Sequence, residues 1–313
     1  DADAVCRANI FLRTAERVLI CVGSFRAVTY DELFESVKAC PWEEFLPENA
    51  RFWVTKASSV NSRLFSPSDI QSIVKKAMVE RMKQHYDVQW FEENGADYPV
   101  RVFLNKDEVT VCLDTTGESL HKRGYRTKAG KAPISETLAA ALIMLTPWKK
   151  DRVLIDPFCG SGTFAIEAAM MAAGIAPGAG RNFTAERTNF IDRQLWYDAV
   201  NEAEEMADTN IDTCIEGYDI DPEVVKVAKE NAVRAGVEKL VRFCVRDVAA
   251  LESDREYGFI ITNPPYGERL EEKETLPAIY SAFGRCFAKM PTWSAYLITS
   301  YEDTERYVGR KAD

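Results

Sequence analysis

The chain has 313 residues, 46% of them hydrophobic and 28% charged, which is enough to bury two domain-sized cores. No apolar run approaches the roughly 18–20 residues that a bilayer crossing needs, and the eight cysteines are scattered without a Cys-x-x-Cys pair, so neither a membrane span nor a zinc site is expected. Taken alone, the net charge of −10 argues against nucleic-acid binding, which rests on phosphate neutralisation, but its distribution matters more than its sum.

Scattered single thiols fit a reducing compartment, and the expected location is cytoplasmic. The chain opens at Asp1 without a methionine, which leaves room for an upstream segment.

The first part, to about Asp114, mixes short helices and strands. Ser66-Pro67-Ser68-Asp69 reads as a helix start, with a capping hydroxyl, a proline in the first turn and an acid three residues on. Ile70, Ile73, Val74, Ala77 and Met78 then fall on one helical face. Val100–Leu104 and Val109–Leu113 read as a hairpin with a four-residue loop. No residue of this part looks catalytic. Between Arg51 and Lys83 its cations outnumber its acids, so one face is a candidate for meeting RNA.

From Ser119 to Ser135 there are five cations, Lys122, Arg123, Arg126, Lys128 and Lys131, together with His121 and no acid. A solvated linker and a phosphate-contacting patch both fit such a run. Gly124, Tyr125 and Gly130 keep the second reading open, with Lys122, Arg123, Arg126 and Lys128 as its residues.

The second part alternates strand and helix. Val153–Ile155, Cys214–Tyr218, Val241–Val245, Phe259–Thr262 and Ala295–Thr299 read as strands with helices between them. That alternation predicts parallel β-α-β units in a Rossmann-like, doubly wound α/β domain. Such sheets bind ligands at the carboxyl ends of their strands.

The residues with chemistry fall at those ends. Asp156-Pro-Phe-Cys-Gly-Ser-Gly-Thr163 joins the first strand to its helix. Gly160 and Gly162 allow a tight turn and close approach of a ligand, with Phe158 and Thr163 beside them. The loop has no Gly-Lys-Ser/Thr ending, so a polar ligand tail without phosphate fits better than a nucleotide phosphate. Asp219 and Asp221 both follow the second strand. A carboxylate here suits two ribose hydroxyls. Asp221 also reads as the cap of the next helix, so Asp219 is favoured, with Ile220 packing on an adenine face. Asp247 ends the third strand and reads equally as an acceptor from the adenine amine or as a solvated loop acid.

Asn263-Pro264-Pro265-Tyr266 ends the fourth strand. Two prolines fix the backbone. They would aim the Asn263 amide oxygen and the Pro264 carbonyl at one point, where two acceptors can hold both hydrogens of an amine. Tyr266 offers a ring on which a flipped-out base can stack. No cysteine lies in or beside 263–269, so thiolate-assisted methylation of a pyrimidine carbon is not expected. Glu268 and Arg269 are candidate readers of a guanine edge, or a surface ion pair.

These residues resemble the amino-group methyltransferases of the Rossmann-like class. The resemblance implies S-adenosylmethionine as cofactor. It implies that Asp156–Thr163 forms the cofactor loop, with Asp219 on the ribose, Asp247 on the adenine and Asn263, Pro264 and Tyr266 as the catalytic motif. Lys131–Leu138 resembles the helix entry before that loop, and Leu120–Arg126 is similar to the junction in bacterial ribosomal RNA guanine methyltransferases. Those enzymes join an N-terminal α+β THUMP-type RNA-binding domain to the methyltransferase.

The implied organisation is a THUMP-type domain at 1–118, a basic linker at 119–132 and the methyltransferase at 133–313. Members of that family carry a strand-helix stretch before the equivalent of Asp1 and two further strands after Thr299, so further residues are expected at both ends. The implied activity is methylation of the 2-amino group of guanine in large-subunit ribosomal RNA. A DNA adenine methyltransferase, a glutamine-directed protein methyltransferase and a non-catalytic RNA-binding adaptor are the alternatives.

Overall fold

The structure is a computed structural model that describes residues 1–126, 134–267 and 274–312. The chain divides into two compact units, Asp1–Leu120 with Arg181–Glu202, and His121–Gly180 with Ala203–Asp313.

The first unit holds helix α1 (Ala2–Phe11), strand β1 (Leu19–Arg26), helix α2 (Tyr30–Ala39), strand β2 (Arg51–Val60), helix α3 (Pro67–Tyr86), and strands β3 (Asp97–Asn105) and β4 (Glu108–Asp114). The four strands form one sheet in the order β1-β4-β3-β2, with β2 and β3 parallel and the other pairs antiparallel. Helix α3 starts where the sequence predicts, with Ser66 accepting from the Asp69 N–H, and it buries Ile70, Val74, Ala77 and Met78.

The β3–β4 hairpin is tighter than its sequence pattern suggests. Asn105 pairs with Glu108, leaving a two-residue loop. Lys106 and Asp107 take φ of +54° and +66°. Positive φ at both central residues twists the turn to match its strands.

The segment Arg181–Glu202 packs with the first unit although it follows the second unit's glycine loop in sequence. Its aromatic residues supply the reason. Phe190 packs edge-on to Phe45 with ring centroids 5.7 Å apart and lies 6.3 Å from the Tyr98 ring. The Ala185 N–H donates to the Thr115 carbonyl at 3.0 Å, and Glu202, on helix α6 (Arg193–Met206), pairs with Arg7. The contiguous division predicted from sequence places these residues with the methyltransferase.

The second unit holds five parallel strands in the order β7-β6-β5-β8-β9. They are β5 (Leu154–Asp156), β6 (Ile215–Asp219), β7 (Val241–Val245), β8 (Phe259–Thr262) and β9 (Ser294–Leu297). The helices are α4 (Glu136–Leu145), α5 (Thr163–Ala172), α7 (Pro222–Arg234), α8 (Leu276–Phe287) and α9 (Thr304–Val308).

Alternate strand residues face opposite sides of the sheet. Leu154 and Ile261 therefore join a core with α4, α5 and α7, while Ile155 and Ile260 join a second core with α8. The chain winds outward from β5 through β6 to β7, then returns to β8 and β9 on the other side. The strand order reverses at β5, where a crevice forms outside the strand ends. Among the described residues no helix is long and apolar enough to cross a membrane.

Candidate active site

The loop after β5 is built on a buried carboxyl. Asp156 is 1% exposed, so its side chain lies beneath the site rather than on its surface. Its Oδ1 accepts from the Thr262 hydroxyl at 2.6 Å and from the Phe158 N–H at 3.2 Å. Burial pushes Asp156 up to about 7, and these hydrogen bonds offset part of that rise. The contact with Thr262 joins the end of β5 to the end of β8, one residue before Asn263.

Gly160 takes φ of +52° and Gly162 takes φ of +87°. A Cβ on Gly160 would meet nothing within 4 Å, so this face of the loop is open. A Cβ on Gly162 would lie 2.7 Å from the Phe243 ring, so here glycine lets the loop close onto β7. Asn231, fully buried on α7, donates to the Ser161 carbonyl at 3.0 Å and holds the loop from below.

Asp219 ends β6 and is half-buried. Its Oδ2 accepts from the Gly160 N–H at 3.1 Å and its Oδ1 from the Asp221 N–H at 3.0 Å. A carboxylate has about four acceptor positions, so two remain for a ligand. Asp221 caps α7, its carboxylate accepting from the Glu223 N–H at 2.9 Å. Ile220, between them, is 68% exposed, an apolar surface beside an acceptor. Asp247 is exposed past β7, and its Oδ1 accepts from the Ala249 N–H at 2.8 Å.

The Asn263–Tyr266 turn follows β8. The Ile298 N–H donates to the Thr262 carbonyl at 3.1 Å, which fixes the entry to the turn. Asn263 and Tyr266 are half-buried and Pro264 is buried. At the exit, the Tyr280 hydroxyl on α8 lies 3.1 Å from the Pro265 carbonyl. Sequence reading missed Tyr280, because a tyrosine on the buried face of an amphipathic helix reads as core. Glu268 and Arg269 lie outside the described residues.

The basic run divides differently from its sequence pattern. Arg123 is buried, its Nε 3.5 Å from Oε1 of Glu167 on α5. The Tyr125 hydroxyl donates to the same oxygen at 3.1 Å, and burial holds the Tyr125 phenol well above its ordinary value. Helix α5 is buried almost all round, and a carboxylate within it requires a buried cation. Arg126 donates to the Thr163 hydroxyl and the Ile134 carbonyl, each at 2.9 Å, and pairs with Glu136 at 3.4 Å. Glu136 is itself raised by burial, which Arg126 partly offsets.

Arg123 and Arg126 thus hold the first turns of α5, Arg123 buried and Arg126 half-buried. Burial against Glu167 speaks against the phosphate-contact reading for Arg123, and that for Arg126 stands as an expectation. Lys122 is exposed, and Lys128 and Lys131 lie outside the described residues.

Residues 123–313 match the family model for the RMKL-like methyltransferase domain, and residues 27–114 match that for the THUMP domain. The chain belongs to the RMKL-like methyltransferase family. It is 49% identical over its whole length to a Bacillus subtilis (strain 168) protein called "Putative RNA methyltransferase YpsC", covering 81% of that relative. It is 33% identical to the "Ribosomal RNA large subunit methyltransferase K/L" of Cellvibrio japonicus (strain Ueda107), matching across the whole of this chain but spanning only 44% of that relative. A solved structure described as a "putative methyltransferase complexed with SAH" matches the whole chain at 41% identity and a TM-score of 0.94, with 83% of that chain covered.

The protein is an S-adenosylmethionine-binding methyltransferase with an N-terminal THUMP domain and a parallel five-stranded α/β catalytic domain. The geometry fits this cofactor. The open backbone at Gly160, the acceptor capacity of Asp219 and the bare apolar surface of Ile220 follow the carboxyl ends of β5 and β6. Among the described residues no cluster of three or more His, Cys, Asp or Glu is placed to hold a metal ion.

Proposed function

We propose that this protein methylates the exocyclic 2-amino group of a guanine in large-subunit ribosomal RNA. The observation that carries the reading is the Asn263–Tyr266 turn at the end of β8, joined through Thr262 to the Asp156 beneath the glycine loop at 2.6 Å. That contact supports reading Asn263 and the Pro264 carbonyl as an acceptor pair for an amine beside the cofactor loop. The THUMP match at 27–114 and the names of the RNA-modifying relatives favour RNA as the substrate.

In this reading Asp219 receives the two ribose hydroxyls of the cofactor, Ile220 packs on its adenine and Asp247 accepts from its amine. The backbone of Phe158, Gly160 and Gly162 carries the methionine end, with Asp156 and Thr163 shaping the loop from beneath. S-adenosylmethionine supplies an electrophilic methyl on its sulfonium. Asn263 and the Pro264 carbonyl accept the two amine hydrogens and turn the nitrogen lone pair toward that methyl. Tyr266 stacks on the base.

Most of the rate enhancement is then orientation for an in-line displacement. The two oxygens also meet the positive charge that develops on nitrogen, a smaller electrostatic contribution. The methylated amine gives up one proton; 263–267 carry no Asp, Glu, His or Cys, and solvent is the acceptor in this reading.

The test combines labelled S-adenosylmethionine with protein-free ribosomal RNA from cells lacking the enzyme, beside duplex DNA of matched length, followed by nucleoside analysis. The expected product is N2-methylguanosine. Label in DNA adenine with none in RNA overturns the reading, and label in no nucleic acid favours a non-catalytic role.

A further inference from the structure

Asn263-Pro264-Pro265-Tyr266 contains two successive residues without an N–H. The two prolines have no N–H to donate to neighbouring segments, so outside donors to the turn's carbonyls help set its shape. The entry is held by Thr262, whose hydroxyl donates to Asp156 and whose carbonyl accepts from Ile298.

The exit is held by Tyr280. This residue lies on α8 and is 1% exposed. Its hydroxyl is 3.1 Å from the Pro265 carbonyl and 2.7 Å from the Thr299 hydroxyl. The Thr299 Oγ1 accepts from the Tyr301 N–H at 3.1 Å.

The chemistry of these groups fixes the direction of every bond. A carbonyl only accepts, and a hydroxyl has a single proton. Tyr280 must therefore donate to Pro265, and Thr299 must donate to Tyr280. The relay runs from the Tyr301 N–H through two hydroxyls to the Pro265 carbonyl. Hydrogen bonds in such a chain polarise one another. The pyrrolidine ring already fixes φ of Pro265, leaving ψ as its one soft angle. That angle sets where the carbonyl points and where Tyr266 begins, so holding the carbonyl also places the Tyr266 ring.

We propose that Tyr280, supported by Thr299, is a positioning residue for methyl transfer, holding Tyr266 and the acceptor pair of Asn263 and Pro264 in the geometry that receives the base. The proposal rests on the reading that this turn accepts the substrate amine. Tyr280 touches neither cofactor nor base in it, and acts through Pro265.

Tyr280→Phe removes the hydroxyl and keeps the ring. Single-turnover methyl transfer to protein-free ribosomal RNA at saturating cofactor should fall about tenfold, the scale of one lost hydrogen bond felt in the transition state. The Kd for S-adenosylmethionine should stay within about twofold of wild type, since the glycine loop is untouched. Thr299→Val should move the same way by less, because Tyr280 keeps its own proton for Pro265.

Amide hydrogen exchange supplies a readout independent of the substrate. Both prolines lack an amide hydrogen, so the turn reports through Tyr266 and Gly267. Their exchange should quicken in Tyr280→Phe while that of α5 stays at the wild-type rate.

Unchanged exchange at Tyr266 and Gly267 overturns the proposal whatever the substrate is. Faster exchange with wild-type turnover overturns the positioning role. Wild-type protein that transfers no methyl to RNA removes the functional reading instead, and the exchange measurement then decides the clamp alone.

Discussion

The Asp219 carboxylate accepts a hydrogen bond from the Gly160 N–H at 3.1 Å. One acid at the end of β6 therefore shapes the glycine loop after β5 while keeping acceptor positions for a ligand. Replacing it removes both contributions at once. Asp219→Ala is expected to weaken S-adenosylmethionine binding at least about tenfold, since a charge-assisted hydrogen bond contributes on the order of 1.5–3 kcal/mol. Asp221→Ala removes a helix cap instead, and should cost about 1 kcal/mol of stability with little change in affinity. Calorimetry and urea unfolding on both variants separate the two acids. The reverse pattern assigns the ribose to Asp221.

Asn263 offers its amide oxygen from a turn whose backbone the prolines and Thr262 hold in place. Asn263→Ala leaves the glycine loop and Asp219 untouched. Methyl transfer should therefore fall by roughly a hundredfold or more in single-turnover measurements, while cofactor affinity stays near wild type, as expected for an interaction felt mainly in the transition state. A variant that retains transfer within about threefold of wild type removes Asn263 from the catalytic assignment.

Much of the catalytic fold was legible because its signals are local. Strand ends are marked by Asp156, Asp219, Asp247 and Asn263, and the glycines between the first strand and its helix need conformations that only glycine adopts readily. Besides Tyr280 and the tight β3–β4 turn, two features were not legible. The basic run was read by composition, which cannot tell a solvated cation from one that neutralises a buried acid. The partner that decides the matter for Arg123 is Glu167, on a helix that composition marks only as apolar. The excursion at 181–202 was hidden for a similar reason. Phe183, Phe190 and Trp196 mark a buried segment, but nothing local says which of two cores they join.

Lys122 and Arg123 are neighbours in sequence and opposites in environment, one exposed and one buried against Glu167. Lys122→Ala should leave the fold intact, weaken RNA binding and lower the slope of log affinity against log salt by about one, as one lost phosphate contact requires. Arg123→Met leaves a carboxylate buried without its cation, which costs about 3–5 kcal/mol. Thermal unfolding and a salt titration of RNA binding distinguish them. Equal loss of RNA affinity in both variants, with neither destabilised, returns Arg123 to the phosphate-contacting surface.

Asp156 makes stability depend on pH in a direction opposite to that of most carboxylates. Burial raises it from 3.8 to about 7, so the folded protein holds a proton that the unfolded chain has lost between those values. The contribution to stability is fully present below 3.8 and is lost as pH rises through about 7. Its upper bound is roughly 4 kcal/mol, from the distance between the two values. Asp156→Asn has the same shape and no charge. Its oxygen can still accept from Thr262 and Phe158, so the turn and the loop stay joined. Urea midpoints measured from pH 4 to pH 8.5 should therefore fall more steeply with rising pH in the wild type than in the variant, with the gap between them opening as pH approaches 7. The other buried carboxyls, Glu136 among them, are common to both proteins and cancel in the difference. Parallel curves would show that Asp156 stays ionised when folded, held by its hydrogen bonds against the effect of burial.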